Sequence, residues 1–261
     1  MSNKDILLVT DADNTLWDTN AAYAQAQLAL LSDVEELVGA RTVEADRLSF
    51  LRRIDEKIAA GHARRWKYPP RLLVDELAQA LLRSGETRRR GSRTSTSKSE
   101  ADGRAVKIAS EFLSRVAEQW PALRPGVKCC LQDLKSVGAR VVVATEEDAE
   151  RCQSILEHYR LRDYIEEIAS GNKSVSFFRD IGNRFGGAKQ LCFSVGDQLD
   201  RDVAPAKLAG FVTILFPGGF RPTIRQHEDV EPDFVVHSYS EVVRIVRRYA
   251  RRPRPLEKVA S

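Results

Sequence analysis

Short apolar runs that stop abruptly at polar residues constrain this chain more than any other feature. "DILLVTDAD" (5–13), "ARVVVAT" (139–145), "QLCFSVGD" (190–197), "FVTILFP" (211–217) and "DFVVHS" (233–238) are near-continuous rather than alternating. Strands of that kind are buried on both faces, which is the mark of a parallel sheet covered by helices. Helical spacing fills the gaps, as in "GVKCCLQDLKSVG" (126–138) and "AERCQSILEHYRL" (149–161). Alternating strand and helix predicts a doubly wound, Rossmann-like α/β domain with a parallel sheet. "SYSEVVRIVRRYA" reads as a terminal helix, with Ser238 and Glu241 placed for a capping box.

Residues 18–120 break this rhythm. "AAYAQAQLALLSDVEELV", "VEADRLSFLRRIDEKIAAG", "PRLLVDELAQALLRSG" and "AVKIASEFLSRVAEQW" all carry apolar residues at helical spacing, with almost no strand-like run among them. The predicted organisation is an α/β core of residues 1–17 and 121–250, an inserted all-helical cap of residues 18–120, and a basic tail of residues 251–261. Within the cap, residues 84–104 contain eight Ser/Thr and no large apolar side chain. Such a segment cannot bury enough surface to offset its chain entropy, so a disordered insertion is expected there.

The 261 residues carry a net charge of +4, unevenly placed. Residues 84–104 contribute +3 and residues 244–261 contribute +6, leaving the remainder at −5. Basic character therefore belongs to a loop and a tail, which weighs against a nucleic-acid-binding fold. No apolar stretch approaches the roughly 20 residues of a membrane span. The N-terminus lacks a charged-then-apolar signal pattern, and a cytoplasmic location is expected. Cys129, Cys130, Cys152 and Cys192 form no CxxC pair, so they read as small core residues in a reducing compartment rather than zinc ligands.

In an open parallel sheet, ligands sit beyond the carboxyl ends of the strands. The first run ends on Asp11 and Asp13, the second on Thr145, and the run at 190–197 on Gly196 and Asp197, with Asp202 beyond. Lys173 follows "EEIASGN". Carboxylates, a hydroxyl and an ammonium are thus expected at one edge.

This order of residues resembles the haloacid dehalogenase-like (HAD) superfamily of phosphohydrolases. Its DxDxT motif corresponds to Asp11-Ala12-Asp13-Asn14-Thr15, its second-strand Ser/Thr to Thr145, its Lys to Lys173, and its GDxxxxD motif to Gly196 through Asp202. The resemblance implies a helical cap and a Mg²⁺ site at Asp11, the Asp13 backbone carbonyl and Asp197, with Asp202 at the metal or bracing Lys173. It implies Asp11 as the nucleophile that forms an aspartyl-phosphate, Asp13 as proton carrier, and Thr145 and Lys173 as holders of the phosphoryl group. The chemistry agrees, because a phosphate cannot approach several carboxylates without a cation, and Mg²⁺ takes hard oxygen ligands. Thr15 reads as a turn residue bonding to backbone.

Two departures stand out. Glu146 and Glu147 follow Thr145, where the family often has a neutral or basic residue and then glycine; they either point away or select a substrate with a cationic part. The Lys173 segment, "GNKSVSFF", lacks the frequent Lys-Pro pair. Asp13 disfavours dehalogenation, since halide departure needs no proton. A Mg²⁺-dependent phosphomonoester hydrolase acting on a small phosphorylated metabolite is the expected activity. The alternatives are a polynucleotide-end phosphatase using the basic loop and tail, and a non-catalytic phospho-ligand binding protein on the same fold. In the cap, "GHARRWKYPP" (61–70) offers His62, Arg64, Arg65, Lys67 and Tyr68, of which Arg65 and Lys67 are the candidate substrate contacts. Trp17 is read either as a hinge residue or as core.

Overall fold

The computed structural model describes residues 6–63, 68–85, 98–185, 190–218 and 230–251. Six strands form one parallel sheet: β1 (Ile6–Asp11), β2 (Ala139–Thr145), β3 (Glu167–Ser170), β4 (Leu191–Gly196), β5 (Val212–Leu215) and β6 (Phe234–Val235), in the order β3-β2-β1-β4-β5-β6. The doubly wound α/β class is therefore observed. The strand β1 is buried throughout. Its side chains alternate between two cores, Ile6 and Leu8 packing on one face and Leu7 and Val9 on the other. That two-sided burial is why the run is continuous in sequence rather than alternating.

The helices that cover the sheet are α5 (Val127–Ser136), α6 (Ala149–His158), α7 (Val175–Phe185), α8 (Ala204–Leu208) and α9 (Tyr239–Arg251). The first core contains side chains of α5, α6 and α9, and the second contains side chains of α7 and α8. Gly138, at φ +73°, ends α5 in the left-handed conformation that a side chain disfavours and turns the chain into β2. Asp148 caps α6 by accepting from the N–H groups of Glu150 and Arg151. At the start of α9, Ser238 Oγ meets the Glu241 carboxylate directly at 2.9 Å.

The strand β3 and helix α7 were not read from the sequence. The strand β3 has four residues, only one of them buried, so it lacks the apolar run that marks its neighbours. The four cysteines are free thiols; Cys130 and Cys152 are buried, but Cys129 is exposed and not a core residue.

A second compact unit spans residues 20–121 among the described residues. It is helical, built from α1 (Thr19–Val38), α2 (Arg47–Gly61), α3 (Pro70–Gly85) and α4 (Lys98–Glu118). Leu30, Leu31, Val34, Leu51, Leu73, Val74, Leu77 and Phe112 form part of its own core. The disordered insertion expected at 84–104 is overturned at both its ends: Ser84 and Gly85 close α3, and Lys98–Arg104 are the first turns of α4, with Arg71 pairing Asp102 at 2.6 Å. Residues 86–97 and the tail from 252 lie outside the described residues. No described helix is long and apolar enough to cross a membrane.

Candidate active site

The strand order reverses between β1 and β4: β2 and β3 lie to one side, β5 and β6 to the other. Such a switch point opens a crevice at the carboxyl ends of its strands. The sheet therefore delivers Asp11 and Asp197 to the same place, from residues far apart in sequence. Asp11, Asp197 and Asp202 each bring a carboxylate oxygen within 4.8 Å of the others.

One ammonium bonds two members of this cluster. The Lys173 ammonium donates to Asp11 Oδ1 and, at 2.6 Å, to Asp202 Oδ1. All three residues are buried. Asp202 accepts a second bond at Oδ2, from the Gln198 N–H at 3.0 Å. It sits on a π-helical turn, Leu199–Val203, that packs against the end of β4. A Cβ on Gly196 would lie 2.1 Å from the Asp202 Cγ, so only glycine leaves space for this carboxylate.

Electrostatics follow first from burial and then from the crowding of carboxylates. Burial raises the Asp11 carboxyl to about 7; Lys173 opposes this, while Asp202 and Asp13 add to it. Burial, then Asp11 and Asp202, push Asp197 up to about 8. For Lys173, burial disfavours the charge, but Asp11 and Asp202 outweigh it and hold the ammonium well above its usual range. Asp197 Oδ1 is buried with no hydrogen-bond donor among the described residues. An all-oxygen donor set, an excess of carboxylate and an orphaned buried oxygen together fit a hard divalent cation such as Mg²⁺.

The turn after β1 sets the other groups. Leu16 N–H bonds the Ala12 carbonyl at 2.8 Å, and Asn14 takes φ +59°. Thr15 Oγ1 donates to Asp11 Oδ2 at 2.9 Å, so its partner is the carboxylate and not backbone. Asp13 Oδ1 accepts from Trp17 Nε1 at 2.9 Å and from Thr19 Oγ1. Trp17 is fully buried in the sheet's core, one of the two readings given for it, and its indole N–H also holds Asp13. Behind β1, the Tyr239 hydroxyl bonds Thr10 Oγ1 at 3.1 Å, and Thr10 Oγ1 donates to the Asp11 carbonyl at 2.9 Å.

Thr145, at the end of β2, is buried and accepts the Glu147 N–H at 3.0 Å. Glu146 is engaged on the protein itself: it pairs with Arg201 at 2.8 Å and accepts the Lys173 N–H at 3.3 Å. It thereby joins the loops after β2, β3 and β4. In the helical unit, Tyr68 is buried with its hydroxyl on Asp55, and His62 packs edge-on against it. Arg64, Arg65 and Lys67 lie outside the described residues. Two groups that the sequence did not flag are Arg124, which bonds the carbonyls of Asn14 and Pro217, and Gly218, whose Cβ position lies 2.7 Å from Asp197 Oδ2. Both occupy connecting segments, where no spacing rule singles a residue out.

Comparison with known proteins places these residues in context. A family model described as haloacid dehalogenase-like hydrolase matches residues 7–210. The chain is 28% identical over 124 residues to a glyceraldehyde 3-phosphate phosphatase of Methanocaldococcus jannaschii, an overlap of 45% of this chain and 53% of that protein. It therefore spans only about half the length of that relative. It is 26% identical over 178 residues to a phosphoglycolate phosphatase of Caulobacter vibrioides, covering 66% of this chain and 72% of that one. Among solved structures, a haloacid dehalogenase-like family hydrolase from Xanthomonas campestris superposes with a TM-score of 0.61 at 18% identity, over 95% of this chain and 99% of the other.

Proposed function

Because the chain belongs to the haloacid dehalogenase-like hydrolase family, we propose that it is a Mg²⁺-dependent phosphomonoester hydrolase acting on a small phosphorylated metabolite. The observation that carries the reading is the carboxylate cluster itself: Asp11, Asp197 and Asp202, two of them bonded by the Lys173 ammonium, with Asp197 Oδ1 lacking a donor among the described residues. Similarity to two proteins named as phosphatases of small phosphorylated compounds supports the substrate class.

The Asp11 carboxylate, the Asp13 backbone carbonyl and Asp197 would hold the cation. When bound, Mg²⁺ supplies charge neutralisation that lets a phosphate dianion enter a carboxylate-rich site. Asp11 attacks phosphorus, the bond to the leaving oxygen breaks, and Asp13 gives that oxygen its proton. Water then attacks the aspartyl-phosphate, Asp13 takes the proton back, and inorganic phosphate leaves with Asp11 restored. Lys173 orients Asp11 and, with Thr145, binds phosphoryl oxygens. Asp202 accepts from the Lys173 ammonium and the Gln198 N–H and would hold Lys173 in place, with its carboxylate also within reach of the cation. The helical unit acts as the cap that selects the substrate's remaining part, with Arg65 and Lys67 as its candidate contacts.

The test is hydrolysis of an aryl phosphate with and without Mg²⁺ by wild type and Asp11→Asn. Wild type is expected to release phosphate only with the metal, and Asp11→Asn to lose at least about three orders of magnitude in kcat. Equal rates in the two proteins would end the mechanism. A panel of phosphorylated metabolites then identifies the substrate.

A further inference from the structure

Arg124 lies outside every motif described above, on the segment that precedes α5. Its N–H bonds the Leu16 carbonyl at 3.0 Å, and the Asp18 N–H bonds the Ala122 carbonyl at 2.8 Å. Leu123 forms an antiparallel bridge with Trp17. This backbone pairing lays the segment along the turn that follows β1. The side chain then reaches further. Nη1 donates to the Asn14 carbonyl, and Nη1 and Nη2 both approach the Pro217 carbonyl at 3.3 Å. The guanidinium carbon stacks 3.6 Å from the centroid of the buried Phe216 ring.

One planar group therefore ties the turn after β1 to the residues that follow β5. Both segments lie beside the Asp197 carboxylate. A Cβ on Gly218 would lie 2.7 Å from Asp197 Oδ2 and 3.1 Å from the Asn14 Cβ, so the fit is close. Asn14 itself stands at φ +59°, in the left-handed region that Asn adopts more readily than most residues. Arg124 spends its donors on two carbonyls rather than on a carboxylate, so they fix backbone position. A lysine could keep the charge but neither the fork nor the stacked plane.

We propose that Arg124 is a positioning residue for the cation site, fixing the spacing of the Asp13 turn and Asp197 so that the site prefers Mg²⁺ to the larger Ca²⁺. The inference rests on the Mg²⁺ reading above. Mg²⁺ demands near-ideal octahedral geometry at about 2.0–2.1 Å, whereas Ca²⁺ accepts irregular shells at about 2.3–2.6 Å. Loosening the two segments therefore penalises Mg²⁺ more than Ca²⁺.

Calorimetric titration of each metal alone tests this, using wild type, Arg124→Lys and Phe216→Leu, with thermal melts in EDTA to report folding. Wild type is expected to favour Mg²⁺. Arg124→Lys should lose about tenfold or more in Mg²⁺ affinity with a smaller loss for Ca²⁺, so the ratio of the two falls. Phe216→Leu, which removes the stacking plane and leaves the guanidinium, should lower the same ratio less. An unchanged ratio in Arg124→Lys overturns the proposal, even if both affinities drop together. If Arg124→Lys fails to fold, an unchanged ratio in Phe216→Leu overturns it instead. Absence of Mg²⁺ binding by folded wild type overturns the cation reading along with it, an outcome distinct from normal wild-type binding with an unaltered ratio.

Discussion

Lys173 and Asp202 are joined by a buried ion pair of 2.6 Å, and the same ammonium donates to Asp11. Lys173 therefore bridges the first and last elements of the site, and the stability of the core depends on a group that the proposed chemistry also uses. Lys173→Met would leave buried carboxylates without their cation, and breaking a buried pair in this way costs about 3–5 kcal/mol. Protonation of the stranded carboxylates relieves part of that cost, so the loss should be larger at alkaline than at acidic pH. Urea unfolding at two pH values measures it; a loss independent of pH would show that the charges are not what Lys173 neutralises.

Asp11 at about 7 and Asp197 at about 8 give the metal-free protein a defined pH dependence. Both are raised from the ordinary 3.8. A raised carboxyl favours the protonated fold, so its contribution is complete below the unfolded value and is lost as pH rises through the folded one. The melting temperature in EDTA should accordingly fall between about pH 4 and about pH 8. Cation binding requires the ionised forms, so the upward shift given by Mg²⁺ should grow over the same interval. A Mg²⁺ shift of constant size across that range would contradict the assignment of these carboxylates to the cation.

In the helical unit, Asp55 is buried and accepts from Gln27 Nε2 at 2.9 Å and from the Tyr68 hydroxyl. Burial raises its carboxyl, against the pull of these two bonds. Asp55→Ala would strand two buried donors, each worth about 1–3 kcal/mol. Asp55→Asn keeps an acceptor and should cost less. Chemical denaturation that finds Asp55→Ala as stable as Asp55→Asn would mean the donors find other partners.

Much of the site was legible in the sequence because strand ends are marked there. A buried parallel strand must be a short apolar run, and its first polar residue stands at the sheet's edge. Asp11, Thr145 and Asp197 were located that way. Lys173 follows β3, whose short edge strand leaves no such mark, and it was placed by its order among the motifs. The helix at Lys98–Arg104 was missed because its polar turns lack the periodic apolar face that identifies a helix. Glu146 shows the limit of residue type as evidence: an acid beside an anion site looked anomalous until Arg201 and the Lys173 N–H were found upon it.

By itself the sequence determined the alternation of buried strands and helices, the helical insertion, and the set of charged residues at the strand ends. These follow from local hydrophobic pattern, which the chain carries wherever it folds. Only the tertiary structure decided that one ammonium bonds both Asp11 and Asp202, that Trp17 and Thr19 hold Asp13, and that Arg124 joins the turn after β1 to the residues that follow β5. Such contacts join residues brought together by strand order and turn geometry, and a hydrogen bond between distant residues leaves no period in the chain.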